Sequence, residues 1–438
     1  MDDKQLYMET FGCQMNVNDS ERIVSMLADV GYQSTSSLAD ADMILLNTCS
    51  VREGAEEKIY RRLSNLGALK KRRKSLIIGV GGCVAQQEGE ELLNRFPWLD
   101  LVFGTHNLHL LTRMVIDAEN GGQRCETAFI DNYRRLDLFP PVRGNTRPSS
   151  FVTVMQGCDN YCSYCIVPYV RGREISRRSA EILAEVRQLA DSGAKEVVLL
   201  GQNVNSYGLK TEGEPDFAGL IRSVADIDGI HRIRFFTSHP KDMSPELIAC
   251  FSDIPKLCGQ IHLPAQSGSN AVLARMNRGY DRTLYMDLIQ ALKSARPGIA
   301  ISGDMIVGFP GETEDDFEQT LSQMEEVRYT DLFSFAYSPR PGTKAADLTG
   351  QLGREQKQIR LERLQNLQKR ITLELGQSYL GTVQSVLVDG EGKRPGQISG
   401  RADSGRFINF PGDRSLIGSF VKVRIIEAYQ NSLLGEMF

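Results

Sequence analysis

The sequence predicts an α/β protein in three parts: an N-terminal α/β domain with a parallel sheet, a central partial (β/α)6 barrel and a small C-terminal β-barrel. Short apolar runs alternate with amphipathic helices from residue 4 to about 145, which is the pattern of a largely parallel sheet. The alternation resumes at Phe151 and continues for about six units to Tyr337. After a charged helix, residues 379–438 form short β-type runs with Gly-rich turns and no helical period.

Taken in order, strands are expected at 6–8, 43–46 and 76–80. The first helix carries Ile23, Met26, Leu27 and Val30 on one face, with Asn18 and Glu21 as its capping box. Phe139, Pro140, Pro141, Gly144 and Pro148 read as a linker. Barrel strands are expected at 151–154, 197–200, 233–236, 261–263, 305–307 and 332–335. One intervening helix places Phe317, Leu321, Met324 and Val327 on a face and starts at Thr313 with an acidic first turn. The charged helix spans 355–375, so the expected domains are 1–145, 146–375 and 376–438.

The start of the chain, with Asp2, Asp3 and Lys4, lacks the basic and then apolar pattern of a secretory leader, and no apolar run approaches a membrane span. A cytoplasmic protein without membrane contact is expected. Its formal charge of −4 excludes a generally cationic surface, so nucleic-acid contact would fall to local basic clusters. Nine cysteines in a reducing compartment point to metal binding rather than to disulfides.

Cys158, Cys162 and Cys165 form a C-x3-C-x2-C group directly after the first barrel strand. Three thiolates on one short loop can hold three irons of a cubane and leave the fourth open to the amino and carboxylate groups of a small molecule. Zinc is the rival, but it usually takes paired C-x2-C ligands, and neither a second pair nor a suitable His follows. The spacing resembles that of the radical S-adenosylmethionine (SAM) superfamily. Gln202, Asn203, Ser238, His239, Gln266 and Ser267 follow successive strands, where ligands of parallel barrels sit, and all but His239 are the expected SAM contacts. The stretch from Gly308 to Thr313 could let backbone approach the cofactor, or could be ordinary turn chemistry.

Cys13, Cys49 and Cys83 are far apart in sequence, yet each follows a predicted strand of the first domain. Carboxyl ends of neighbouring parallel strands share one edge, so the three can converge on a second cluster with room left by Gly12, Gly81 and Gly82. The alternative is three unrelated core cysteines, the reading given to Cys125, Cys250 and Cys258. His106 and His109 are read as structural or surface residues.

Phe11 to Asn16, Asn47 to Arg52, Gly81 to Cys83, the Cys158 loop continuing through Val167 to Glu174, and Tyr337 to Thr343 together resemble the radical SAM methylthiotransferases over essentially the whole chain. The resemblance implies an N-terminal methylthiotransferase domain, a radical SAM barrel and a C-terminal TRAM domain. It implies an auxiliary 4Fe-4S cluster on Cys13, Cys49 and Cys83, and a SAM-cleaving one on Cys158, Cys162 and Cys165. Gln14-Met15-Asn16 and Asn160-Tyr161 are similar to the branch that methylthiolates N6-isopentenyladenosine next to the tRNA anticodon, using two SAM molecules. Sibling branches act on threonylcarbamoyl-adenosine or on a ribosomal-protein aspartate.

Such chemistry would attack an unactivated aromatic C–H, so no catalytic side chain is assigned and the cofactors carry the hard step. The base must leave its stack while cationic groups hold the anticodon arm. Arg171, Arg173, Arg177 and Arg178 after the central cysteines, and Arg401 with Arg406 in the β-module, are the expected RNA contacts, beside a run from Lys70 to Lys74. A one-electron reductant of flavodoxin or ferredoxin type, a sulfur donor and a monomeric state are also expected. The non-enzymatic alternative is an iron-sulfur protein that binds RNA or senses redox state.

Overall fold

The computed structural model describes residues 4–50, 53–130 and 147–438. The chain divides into two compact units: Met1–Gly144 with Gln156–Asp159 and Ile166–Ile175, and Asn145–Met155 with Asn160–Cys165 and Ser176–Phe438.

In the first unit, β1 (Lys4–Thr10), β2 (Tyr32–Ser34), β3 (Met43–Thr48), β4 (Ile77–Gly82), β5 (Leu101–Phe103) and β6 (Arg124–Glu126) form one sheet in the order β2-β1-β3-β4-β5-β6. Every pairing is parallel. A sheet with both faces covered needs apolar residues on both, and β3 and β4 are buried at every position. Ile59, Leu63 and Leu66 of α2 (Glu53–Arg72) pack with Ile44, Leu46, Ile78 and Val80. Ile23 and Leu27 of α1 (Gln14–Ala28) cover the other face with Leu6, Met43 and Leu45.

Helix α1 departs from expectation. It starts four residues before Asn18, with Cys13 as N-cap and Asn16 at the third position completing the capping box. Asn18 lies inside the helix, where its Oδ1 accepts from Arg22 Nε at 3.0 Å.

In the second unit, β7 (Ser149–Thr153), β8 (Glu196–Leu200) and β9 (Arg232–Phe235) pair in parallel, as do β10 (Gln260–His262), β11 (Ala300–Val307) and β12 (Asp331–Ala336). A parallel bridge between Ile233 and Leu257 joins the halves. Val152, Val197, Ile233, Ile261, Met305 and the helices outside them form the main core. In α3 (Glu314–Val327), the first turn is acidic after Thr313, as the sequence predicts, and Thr313 also accepts from the Asp316 N–H in a capping box. Of the expected linker, Phe139, Pro140, Pro141 and Gly144 lie outside the described residues. Pro148 instead anchors a strand start, its carbonyl accepting from the Lys195 and Glu196 N–H groups at 2.8 and 3.0 Å.

Helix α4 (Arg354–Gln377) leads into β13 (Val383–Glu391), β14 (Gln397–Arg401), β15 (Phe407–Pro411), β16 (Phe420–Ala428) and β17 (Leu433–Met437), a closed barrel in the order β13-β14-β15-β17-β16. It is tied to the amino ends of β9 and β10. Arg232 donates to the carbonyls of Arg401 and Ser385 at 2.8 and 2.7 Å, and Arg234, ion-paired to buried Glu196 at 2.8 Å, donates to the Asp403 carbonyl at 2.9 Å. The carboxyl ends of the strands stay clear of this docking, and that is the end where ligands of such barrels bind. Among the described residues no helix is long and apolar enough to cross a membrane.

Candidate metal centres

The strand order β2-β1-β3-β4 reverses direction between β1 and β3, and in open α/β sheets the crevice at such a switch point, beyond the carboxyl ends, takes the ligand. Cys13 follows β1, Cys49 follows β3 and Cys83 follows β4, so three consecutive strands deliver one thiol each to that edge. Close backbone approach makes this possible. Gly12 has φ +130°, and a Cβ there would lie 2.4 Å from the Cys49 Cβ; Gly82 has φ +91°, and its Cβ would lie 2.4 Å from the Thr48 carbonyl oxygen.

Side chains lock the loops around the thiols. Asn16 Nδ2 donates to the Thr48 carbonyl at 3.0 Å, Asn47 Nδ2 returns a bond to the Asn16 carbonyl at 2.8 Å, and Thr48 Oγ1 donates to the Gly81 carbonyl at 2.6 Å. The thiols act on one another. A hydrogen bond from Cys49 holds Cys13 down at about 6 and Cys83 at about 7, and the same bonds push Cys49 far up.

Arg171 belongs to this unit. Its Nη2 donates to Asp19 Oδ2 of α1 at 2.8 Å, and its guanidinium charge further lowers both Cys13 and Cys83. The residue before it, Val170, packs on Cys83.

The second cysteine set is local. Gly157, at φ +80°, makes room for the Arg173 carbonyl, and the Cys158 N–H donates to the Gly172 carbonyl at 3.2 Å. Cys162 and Cys165 form a tight turn, the Cys165 N–H bonding the Cys162 carbonyl at 2.9 Å. Residues 275–278 pin that turn. Ser163 donates its N–H to the Met276 carbonyl at 3.0 Å and its hydroxyl to the Arg275 carbonyl at 2.8 Å, and Asn277 Nδ2 reaches the Tyr161 carbonyl at 3.1 Å. Buried Arg278 places Nη1 3.3 Å from Cys162 Sγ and Nη2 2.8 Å from the Pro264 carbonyl.

Each set counts three cysteines, the front one with buried Arg171 beside it, and Cys162 of the central one has buried Arg278 beside it. That donor set fits a cubane with three protein thiolates and one open iron.

The expected SAM contacts divide. Asn203 is buried, with Nδ2 on Asp242 Oδ2 at 2.7 Å and Oδ1 unpartnered; the buried Ser238 hydroxyl also has no partner among the described residues. Gln202 is half-buried, and Gln266 adopts φ +71° with its backbone bonded to Asp304 and Ile306. Ser267 is occupied elsewhere: its hydroxyl sits 3.3 Å from that of Thr320 and accepts from the Ser269 N–H at 3.2 Å. In the stretch from Gly308 to Thr313, Glu312 is buried against Arg360 at 2.7 Å.

The arginines need correction. Arg171 is buried against Asp19, Arg177 against Glu185 at 2.6 Å, and Arg406 against Asp331 at 3.5 Å, so none presents its charge to an RNA backbone. The side chains of Arg173 and Arg178 are 71% and 63% exposed, beside Asp159 at 3.5 Å and Glu214 at 3.7 Å. Arg401 is half-buried, 3.7 Å from Asp389 and stacked over Phe407. In the run from Lys70 to Lys74, Lys70 pairs with Asp100 and Arg73 caps the Ala39 and Ala41 carbonyls, leaving Lys71, Arg72 and Lys74 exposed. His106 is structural, its Nε2 2.8 Å from the Arg171 carbonyl. Arg278 and Asp19 were not foreseen from sequence. Each meets its partner across more than 100 residues of chain, and no local pattern signals that.

Three family models match in succession: the uncharacterized protein family UPF0004 over residues 5–104, the radical SAM superfamily over 152–324 and the TRAM domain over 377–438. Among solved structures, the radical SAM methyltransferase TsrM from Kitasatospora setae, with cobalamin and a [4Fe-4S] cluster bound, aligns at TM-score 0.56 and 14% identity over 89% of this chain and 82% of its own. The cobalamin-dependent radical enzyme OxsB aligns at TM-score 0.54 and 13% identity over 84% of this chain, which spans 56% of OxsB. Fold and site thus define a radical SAM protein with a TRAM module. Among curated relatives, one from Pelobacter propionicus is 71% identical over 100% of this chain and 99% of its own length, and one from Geobacter sulfurreducens 63% identical over 100% and 98%. Both are named tRNA-2-methylthio-N(6)-dimethylallyladenosine synthase, and this chain belongs to that family.

Proposed function

We propose that this chain methylthiolates C2 of N6-isopentenyladenosine beside the anticodon of tRNA, as a radical SAM enzyme with two 4Fe-4S clusters and two SAM molecules. The observation that carries the reading is the delivery of Cys13, Cys49 and Cys83 to one sheet edge in a chain that also holds the Cys158, Cys162 and Cys165 loop. Cys158, Cys162 and Cys165 would hold a cluster that would supply the electron for SAM cleavage, and Cys13, Cys49 and Cys83 one that would supply the sulfur.

The chain's own residues position and shield. Arg278 steadies the Cys162 thiolate, and Asn16, Asn47 and Thr48 hold the front loops against each other. The buried side-chain oxygens of Asn203 and Ser238 have no hydrogen-bond partner among the described residues, which supports these two as SAM contacts, and Gln202 and Gln266 are proposed beside them. Arg173, Arg178 and Arg401 are the groups proposed for the anticodon arm. We assign 1–145, 146–375 and 376–438 as domains, and read the protein as a cytoplasmic monomer served by a flavodoxin- or ferredoxin-type reductant and a separate sulfur donor. The test is mass spectrometry of tRNA nucleosides from cells lacking the protein. Loss of the methylthio-isopentenyl nucleoside with accumulation of the isopentenyl one supports the reading, and an unchanged nucleoside profile overturns it.

A further inference from the structure

Buried Arg234 spends its charge on the Glu196 carboxylate and its other donors on the Gln260 amide oxygen and the Ala402 and Asp403 carbonyls. Arg171 departs from this. It is 3% exposed, Nη2 pairs with Asp19 at 2.8 Å, the guanidinium also hydrogen-bonds the Cys83 thiol, and Nη1 meets no oxygen or nitrogen acceptor among the described residues. A buried guanidinium donor left unmade is costly, so it marks a place where something else can be received.

The surroundings fix that place. The Arg171 carbonyl is held by His106 Nε2 at 2.8 Å, and the Val170 carbonyl accepts from Thr105 Oγ1 at 2.7 Å. Val170 packs on Cys83 itself, and Asp19 stands on the helix whose N-cap is Cys13. The guanidinium is therefore held between the elements that carry two of the three front thiols. Asp19 takes one edge of the fork, and the guanidinium still lowers both Cys13 and Cys83.

We propose that Arg171 is a positioning residue of the front site: it holds an anionic sulfur ligand at the open iron through Nη1 and raises the electron affinity of the cluster bound by Cys13, Cys49 and Cys83. This rests on the two-cluster reading above and adds the group that manages the site's charge. A thiolate-bound cubane carrying a further sulfur anion accumulates negative charge in a buried setting, and a fixed cation there stabilises both the anion and the reduced cluster.

The test uses the full chain with Cys158, Cys162 and Cys165 all changed to Ala, so that only the front cluster is reconstituted. Its midpoint potential is measured by redox titration, and its affinity for hydrosulfide by absorption titration. Arg171→Gln is expected to lower the potential and weaken hydrosulfide binding about tenfold or more, Arg171→Lys to restore both toward the parent, and Asp19→Asn to move both the opposite way. A Gln variant with full iron but unmoved potential and affinity overturns the proposal, as does a Lys variant displaced as far as the Gln one. If the Gln variant loses its iron, Asp19→Asn decides: a raised potential supports the proposal, and an unmoved or lowered one overturns it. A parent that binds no iron would instead sink the two-cluster reading, so the two failures are distinct.

Discussion

The two cysteine sets reach the same donor count by opposite means. The front set gathers Cys13, Cys49 and Cys83 from the ends of three adjacent parallel strands, so its geometry is that of the sheet. The central set lies on one loop of eight residues, and what fixes it is outside that loop: the Met276 and Arg275 carbonyls, Asn277 and Arg278. A scattered site is rigid because each ligand is anchored by its own strand, and it fails when backbones cannot approach. A local site forms in any register of its scaffold, and it fails when its pins are removed.

The largest expected break follows from that contrast. Gly82→Ala puts a Cβ 2.4 Å from the Thr48 carbonyl at φ +91°, a strain of about 1–3 kcal/mol that the sheet can relieve only by moving Cys83. Methylthiolation should be nearly abolished and iron content fall by about half, while reductive SAM cleavage persists; full iron in this variant would contradict the account. Next in size, Arg278→Gln removes a charged bond to Cys162 and should slow SAM cleavage by about tenfold or more with the front cluster intact, as measured by 5′-deoxyadenosine yield and iron content. An unslowed rate would show that the loop needs no pin at that sulfur.

Deleting the β-module after Gln377 sharpens the comparison from outside both sites. It should weaken tRNA binding while leaving both clusters in place, because no cluster cysteine lies there. It also strips Arg232 and Arg234 of their acceptors in the module, so the melting temperature of the remaining chain should fall. Unchanged tRNA affinity would count against the module's role. The smallest effect is expected for Arg173→Ala or Arg178→Ala: each should reduce the slope of log affinity against log salt by about 1 and alter neither cluster.

Much of this was legible in the chain. Strand positions followed from apolar runs, since β3 and β4 are buried on both faces and cannot read otherwise. The convergence of the front cysteines followed from the place of each just after an apolar run, because the carboxyl ends of neighbouring parallel strands share one edge. The start of α1 did not. Asn18 and Glu21 have the capping spacing, but the chain uses Cys13 with Asn16, because the thiol has to stand at the helix start to face Cys49. Arginines were the other failure. Arg171 and Arg177 share one charge-rich stretch with Arg173 and Arg178, and only packing decides that the first two point inward to Asp19 and Glu185. Charge runs carry no periodicity that reports burial.

The division of labour between the two sets is the central claim, and it is tested by six Cys→Ala variants assayed for iron, sulfide, 5′-deoxyadenosine and methylthio-nucleoside. Changing Cys13, Cys49 or Cys83 should abolish methylthiolation and leave reductive SAM cleavage largely intact, and changing Cys158, Cys162 or Cys165 should abolish both, with iron down by about half in either set because each cubane has only three protein thiolates. A Cys49→Ala variant that still transfers sulfur normally would contradict the account, and would return the front cysteines to the core of the sheet.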